Sequence, residues 1–462
     1  MTRRLAAFAR AAGGTLHGAD ADFAEVVIDS RRVGRGDLFV ALPGSRADGH
    51  DFVAAAAAAG AAGALVARRV DAPLAQVVVP DVEAALGAAA RAWRAAYAGT
   101  VLAVAGSNGK TTTKEMLAAI LAQAGTTLAT RGNLNNQLGV PLTLLRLAPE
   151  QRYAVIEIGA NHPGEVAALA ALARPRIGIV TNAGAEHLEG FGSIEGVARA
   201  EGELFAALPP EGVAIVNADD AYAALWRGMT AARVSGFGLA PRADVRAEAL
   251  RFDVDARGFV ARFELVAPAG RRAVELALGG RHNVQNALGA AAAALAAGAS
   301  LDHVVAGLAG VRAVSGRLQF RLTRAGAWLI DDSYNANPSS VRAAIDVLAE
   351  LGGRAWLVLG DMGELGEFAA GSHRDAGRYA RARGVERLYA HGPLAALAAR
   401  EFGSGAQCFE AAEPLVRALQ ADLQPDVRLL VKGSRLNRLE RVVAALTDND
   451  DAAAQPPARQ AG

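Results

Sequence analysis

Two rhythms alternate along the chain: short unbroken apolar runs, and longer stretches in which apolar positions recur at helical spacing. The sharpest run, residues 101–105, predicts a buried strand. It feeds through Gly106-Ser107-Asn108-Gly109 into a helix from Lys110, with Met116, Leu117, Ile120 and Leu121 on one face. Further strands are predicted at 153–158, 177–181 and 212–216, separated by helical patterns, which suits a mostly parallel sheet covered on both faces. Ahead of it, strands at 25–31 and 37–42 and one alanine-rich buried helix over 52–67 predict a small α/β unit over residues 1–83. Residues 84–313 then form the central domain, with a hairpin-like insertion at 244–278 turning near Asp255 and Gly258. A long alanine helix starts after Gly280 and takes in the apolar run 287–301. A third, Rossmann-like α/β unit at 314–447 has strands at 328–330, 356–359, 387–389 and 429–431, each ending in a polar or glycine-rich turn. After it, 448–462 has no periodic core and reads as a disordered tail.

Composition narrows the partners. Hydrophobic residues make up 52% of the 462, but many are alanine, and the apolar runs 52–67 and 287–301 are too short to span a bilayer. No signal-peptide pattern follows Arg3 and Arg4, and the single cysteine, Cys408, excludes an internal disulfide framework and a cysteine-based zinc site. The expectation is a cytoplasmic protein without membrane insertion. A net charge of +1 and 5% aromatics offer neither an electrostatic nor a stacking footprint for nucleic acid.

The strand–turn–helix at 101–113 carries the chemistry. Backbone N–H groups and the positive end of a helix dipole converge there, and Lys110-Thr111 adds a cation and a hydroxyl. It is a shortened phosphate loop, because Val104 stands where the usual pattern has its first glycine. Thr111 can offer its hydroxyl to Mg²⁺, and Glu157, closing a neighbouring strand among apolar residues, can supply a carboxylate. His187 follows the strand end at Thr181-Asn182. No Asn-Lys-x-Asp element of a switch GTPase follows the loop. Asp29-Ser30-Arg31 offers an acceptor, a hydroxyl and a guanidinium at a strand end, a set suited to a nucleotide or sugar phosphate.

Ordered segments across all three units resemble the Mur ligases of peptidoglycan synthesis, ATP-dependent amide-forming enzymes. They include Asp29–Arg31 with Gly49-His50-Asp51, Gly106–Thr112, Glu157–His162, Thr181-Asn182 with His187–Gly192, and Gly280–Asn286. Ser315–Arg317, Asp332–Pro338, Gly360–Gly366 and Val431–Arg435 continue the series. Tyr334–Pro338 and Gly360–Gly366 are most similar to the branch that adds D-alanyl-D-alanine to UDP-N-acetylmuramoyl-tripeptide. The Asp-Asn-Pro-Arg motif of the diaminopimelate-adding branch is absent.

The resemblance implies ATP and Mg²⁺ as cofactors and those two substrates as partners; a monomer is the expectation, although oligomeric state leaves no readable mark in the sequence. Ser30 and Arg31, with Gly49 and His50, would hold the uridine diphosphate end. Gly106, Ser107, Asn108, Gly109, Lys110, Thr111 and Thr112 would hold the ATP phosphates, and Asn283 and Asn286 the adenine. Arg317, Asp332 and Asn335 would reach the nucleotide from the third domain. Asn337, Lys432, Ser434 and Arg435 would position the dipeptide. Lys110, Glu157, His187 and Glu201 form the expected catalytic set. Thr111, Glu157, His187 and Glu201 would bind metal. Relatives usually carry a carbamylated lysine where this chain has Glu201, which is expected to supply its carboxylate directly. The alternatives are another amino-acid-adding or folate polyglutamate ligase of the family, and a nucleotide-dependent switch that forms no amide.

Overall fold

The computed structural model describes residues 3–44, 47–255 and 258–448, so the expected tail lies outside the described residues except for Asp448. Three β-sheets follow one another along the chain. The first holds β1 (Thr15–His17), β2 (Val26–Val27), β3 (Leu38–Val40), β4 (Gly63–Val66) and β5 (Ala75–Val78), in the order β1-β5-β4-β3-β2. Only β1 runs antiparallel in it.

Two expectations fail in this sheet. The run 52–67 is not one buried helix: a short helix, Val53–Ala58, ends at Gly60, which takes a left-handed φ of +88°. The chain then returns as β4, whose four residues are all buried between β3 and β5. Alanine favours helix only weakly, and pairing on both sides overrides that preference. The strand expected at 25–31 shrinks to β2, because Asp29 accepts from the Arg31 N–H and turns Ser30–Arg32 into a 3₁₀ turn.

The central sheet has nine strands: β6 (Thr100–Ala105), β7 (Thr127–Ala129), β8 (Tyr153–Glu157), β9 (Ile177–Val180), β10 (Val213–Asn217), β11 (Arg233–Gly238), β12 (Val245–Asp255), β13 (Gly258–Ala267) and β14 (Gly270–Leu276). Their order is β14-β13-β12-β11-β10-β9-β6-β8-β7. The segment expected as a separate hairpin therefore extends the main sheet, with β12 parallel to β11 and β13 and β14 antiparallel beyond it. On one face, the helices Lys110–Ala124, Arg281–Ala296 and Leu301–Ala309 share a core with the strands, and buried alanines let them approach closely.

The third sheet holds β15 (Gln319–Leu322), β16 (Trp328–Asp332), β17 (Arg354–Gly360), β18 (Arg387–His391), β19 (Ala406–Phe409) and β20 (Val427–Lys432), ordered β15-β16-β20-β17-β18-β19. All but β15 are parallel. Each larger sheet reverses its strand order at a strand whose two neighbours lie on the same side of it in sequence: β6 lies between β9 and β8, which both follow it, and β20 between β16 and β17, which both precede it. Ligands bind beyond the carboxyl ends of strands at such reversals. No helix among the described residues is long and apolar enough to cross a membrane.

Candidate active site

The carboxyl ends of β6, β8, β9 and β10 face those of β16 and β20 across one cleft of about 830 Å³. Residues 107–112 line one wall, with Glu157, Glu186, His187, Asn283 and Asn286; Arg317, Asp332, Tyr334, Asn335, Lys432 and Arg435 line the other.

The loop is held from behind. The Gly106 N–H donates to Glu201 Oε2 at 2.7 Å, Ser107 N–H to the Asn182 carbonyl at 2.9 Å, and Asn108 N–H to Asn182 Oδ1 at 3.1 Å. With these three engaged, the N–H groups of the first turn after Gly109 are left to meet a ligand. Gly109 has φ +80°, and a Cβ there would lie 2.4 Å from Asn286 Oδ1. Asn286 therefore buttresses the loop as well as lining the cleft. Lys110 Nζ lies back on its own loop, donating to the carbonyls of Gly106 at 2.6 Å and Ser107 at 3.1 Å, with Glu186 Oε2 at 3.5 Å. Burial pulls its pKa down, but Glu186, Glu201 and Glu157 outweigh burial and raise it, so the ammonium stays charged.

Thr111 Oγ1 donates to Glu157 Oε1 at 3.1 Å, and Asn135 Nδ2 donates to the same oxygen at 2.9 Å. Glu157 Oε2 is buried without a hydrogen bond among the described residues; the Lys114 ammonium lies 3.9 Å away. His187 sits between Glu186, 3.5 Å from Nε2, and Glu364 of the third domain, 2.8 Å from Nδ1. Burial lowers the His187 pKa, yet Glu186 and Glu364 raise it overall; burial likewise pushes Glu186 up, and Lys110 and His187 bring it below the ordinary carboxylate range. His187 (φ +49°) and Glu364 (φ +61°) both hold left-handed backbone that non-glycine residues rarely adopt. Such strain persists where surrounding contacts fix it, and here the two strained residues touch each other across the domain boundary.

Several expected residues are placed differently. Glu201 does not line the cleft but supports the loop from beneath, and burial pushes its carboxyl up to about 7. Among the described residues, no three His, Cys, Asp or Glu side chains are grouped to hold a metal ion. The expected four-residue metal set is therefore not assembled, since Glu201 is turned to the Gly106 N–H and His187 to its two glutamates.

Asn337 is no open dipeptide contact. Its Oδ1 caps the helix Pro338–Glu350 through the Ser340 N–H, and its Nδ2 donates to Asn108 Oδ1 at 2.8 Å. Lys432 Nζ is held by Asp332 Oδ2 at 2.6 Å and the Asn335 carbonyl at 2.9 Å, and Ser434 Oγ donates to the Asp361 carbonyl at 2.7 Å. Arg435 is exposed in the cleft; it and Arg317 both lie over the Tyr334 ring, 5.6 and 4.3 Å from its centroid.

In the first domain, Ser30, Arg31, Gly49 and His50 do not line this cleft. His50 is buried with both ring nitrogens used: Nδ1 lies 2.6 Å from Asp48 Oδ1, and Nε2 accepts from the Ala67 N–H at 2.9 Å. A Cβ on Gly49 would lie 2.6 Å from the Leu42 backbone. Gly49 and His50 thus close a turn, whereas the Arg31 side chain is 86% exposed and paired only locally with Asp29.

From the sequence Asn135 and Lys114 went unnoticed, and Tyr334 stood in the segment Tyr334–Pro338 without a role of its own. A polar run at Asn133–Gln137, and a second lysine four residues after Lys110 and so on the same helix face, were the available signals.

A phosphate loop on one sheet, facing basic and aromatic groups from a second sheet, defines a nucleoside-triphosphate-dependent enzyme that works between domains. The chain belongs to the Mur ligase family: residues 22–94 match the family's catalytic domain, 104–294 its middle domain, and 316–435 its glutamate ligase domain. It is 44% identical to the UDP-N-acetylmuramoyl-tripeptide–D-alanyl-D-alanine ligase of Escherichia coli strain K12, over 94% of this chain and 96% of the relative. A crystal structure of MurF from Acinetobacter baumannii superposes with a TM-score of 0.86 at 39% identity, covering 95% of this chain and 97% of that one. MurF ligase from Thermotoga maritima in complex with ADP has a TM-score of 0.79 at 27% identity, over 91% of this chain and 96% of that one.

Proposed function

We propose that this protein is an ATP-dependent ligase that adds D-alanyl-D-alanine to UDP-N-acetylmuramoyl-tripeptide, releasing ADP and phosphate. The observation that carries the reading is the shared cleft. Lys110 and Thr111 open the helix that follows β6, Glu157 ends β8, and Arg317 and Arg435 face them from the third domain. The Escherichia coli relative named above carries that activity in its name and matches 94% of this chain.

Joining a carboxylate to an amine needs an activated acyl group. The tripeptide's terminal carboxylate oxygen attacks the γ-phosphorus, the bond to the β-phosphate oxygen breaks, and an acyl phosphate and ADP result. The dipeptide amine then attacks the acyl carbon, loses a proton, and phosphate leaves with the bond pair. Such phosphoryl transfer depends on alignment and charge neutralisation more than on a protein nucleophile. Lys110 would turn from its own loop carbonyls to the β- and γ-phosphates, and the first-turn N–H groups would fix the phosphate chain. Arg317, whose Nε is buried without a hydrogen bond among the described residues, would bind phosphate from the opposite wall. Arg435 would hold the dipeptide carboxylate. Asn283 and Asn286 would border the adenine, with Asp332 and Asn335 on the nucleotide from the third domain.

The residues fit a magnesium ion: the Thr111 hydroxyl and the Glu157 carboxylate, one of whose oxygens is buried without a hydrogen bond among the described residues, are hard oxygen donors. Bound there by Thr111 and Glu157, with His187 nearby, it would neutralise phosphate charge. Ser30 and Arg31 would receive the uridine diphosphate end away from the cleft. We place the protein in the cytoplasm as a monomer, where such precursors, with consequences for cell shape and division, would be assembled.

Mass spectrometry of the product from ATP, Mg²⁺, UDP-tripeptide and a panel of amines tests the reading. It should show the D-alanyl-D-alanine adduct, and phosphate release should depend on both substrates. Phosphate release indifferent to either would indicate a switch instead.

A further inference from the structure

Where the phosphate loop meets the third domain, three side chains close a ring. Asn337 Nδ2 donates to Asn108 Oδ1 at 2.8 Å, Asn108 Nδ2 to Ser339 Oγ at 3.0 Å, and Ser339 Oγ to Asn337 Oδ1 at 3.0 Å. Each group gives one hydrogen bond and takes one around the cycle, so the bonds polarise one another in the same sense. Both ends of the ring are anchored. The Asn108 carbonyl accepts from Thr181 Oγ1 at 2.7 Å and Asn182 Nδ2 at 2.9 Å, which ties the loop to the end of β9. Asn337 is buried and caps the helix Pro338–Glu350, which follows directly on the Asp332–Asn335 wall of the cleft. Gly184 makes room: a Cβ there would lie 2.7 Å from Ser339 Oγ and 3.1 Å from Asn108 Nδ2.

We propose that this ring is the clasp that closes the third domain on the phosphate loop, with Asn108 and Asn337 as positioning residues rather than substrate contacts. The clasp forms only when the helix cap comes within hydrogen-bond reach of the loop, the same approach that brings Arg317 and Arg435 over the phosphates. Asn337 is buried and Asn108 half-buried at the edge of the cleft, so breaking one bond of the ring lets water reach the others. The kinetic consequence rests on the ligase reading; the mechanical one does not.

The test uses the full chain with Asn108→Ala, Asn337→Ser, their combination, and Gly184→Ala. Serine is also a good helix cap but is too short to reach Asn108, so Asn337→Ser keeps the helix start and removes the clasp. Gly184→Ala leaves all three side chains in place and wedges the ring apart. Each single change should lower kcat/KM for ATP about tenfold, the loss of one to two neutral hydrogen bonds, with the KM for the dipeptide unchanged. The double variant should be no worse than the poorer single, because the two residues act as one unit. X-ray scattering with saturating ADP should show a larger radius of gyration for all four variants than for the parent. Losses that multiply to about a hundredfold in the double, or a rise confined to the dipeptide KM in Asn337→Ser, would overturn the clasp in favour of separate substrate contacts. Scattering curves identical to the parent's would overturn it as well. If the parent forms no amide, the ligase reading falls, and the ADP scattering alone decides the clasp.

Discussion

The phosphate loop and the Asp29–Arg31/Gly49–His50 corner carry equally polar sequences, yet the two regions use them in opposite ways. At the loop, Glu201 and Asn182 take up the N–H groups of residues 106–108 from behind, leaving the face with Lys110 and Thr111 turned to the cleft. At the corner, Asp48 and the Ala67 N–H use both nitrogens of His50, and Asp29 grips Arg31. A polar side chain becomes available for chemistry when the backbone has other partners for its own groups. It becomes structural when a backbone N–H must be served by it, as the Ala67 N–H is by His50.

The largest expected effect separates the regions outright. Lys110→Met should lower kcat for amide formation by about a thousandfold or more while the melting temperature changes little, since the ammonium stabilises charge that develops in transfer. A drop of less than tenfold would remove the loop from the reaction.

His50→Ala should do the converse. It leaves the Ala67 N–H unpaired and opens a void, costing about 2–3 kcal/mol of stability by denaturant titration, with the KM for the UDP substrate unchanged. A raised KM in a fully folded variant would make His50 a binding residue after all.

Arg31→Ala should raise the KM for the UDP-linked substrate about tenfold and leave kcat alone, as expected for a phosphate contact far from the reacting bond. Equal losses in kcat and kcat/KM would place Arg31 in the transition state instead.

The smallest effect is expected at Glu201, where Gln can still accept from the Gly106 N–H. Glu201→Gln should change the rate by less than about threefold; a loss near a hundredfold would make the carboxylate a cation ligand. Burial raises this carboxyl to about 7, above its unfolded value, so the folded state favours the proton. Its contribution to stability is full below the unfolded pKa, declines as pH rises to about 7, and is flat above. The Gln variant should lack that decline, melting with the parent in acid and above it at pH 8.

Much of the architecture was legible from periodicity, because a strand buried on both faces reads as a nearly continuous apolar run, as at 101–105, 153–156 and 177–180. The loop was legible because its chemistry is local: glycine, lysine and hydroxyl lie within a few residues of one another. The run 52–67 misled for the same local reason, since alanine is compatible with both the helix Val53–Ala58 and the buried strand Gly63–Val66. Glu201, Asn337, Lys432 and Ser434 were legible as polar residues at interesting places but not as to their partners. Those partners, Gly106, Asn108, Asp332 and Asp361, lie from 73 to 229 residues away.

By itself the sequence determined that this protein folds as successive α/β units and carries a strand–turn–helix of phosphate-loop type ending in Lys110, since strand, turn and helix N-terminus need only neighbouring residues. The tertiary structure alone decided which polar groups face the cleft and which are used up in holding it. A hydrogen-bonding group is free or committed according to what lies within about 3 Å in space, and distance along the chain carries no record of that.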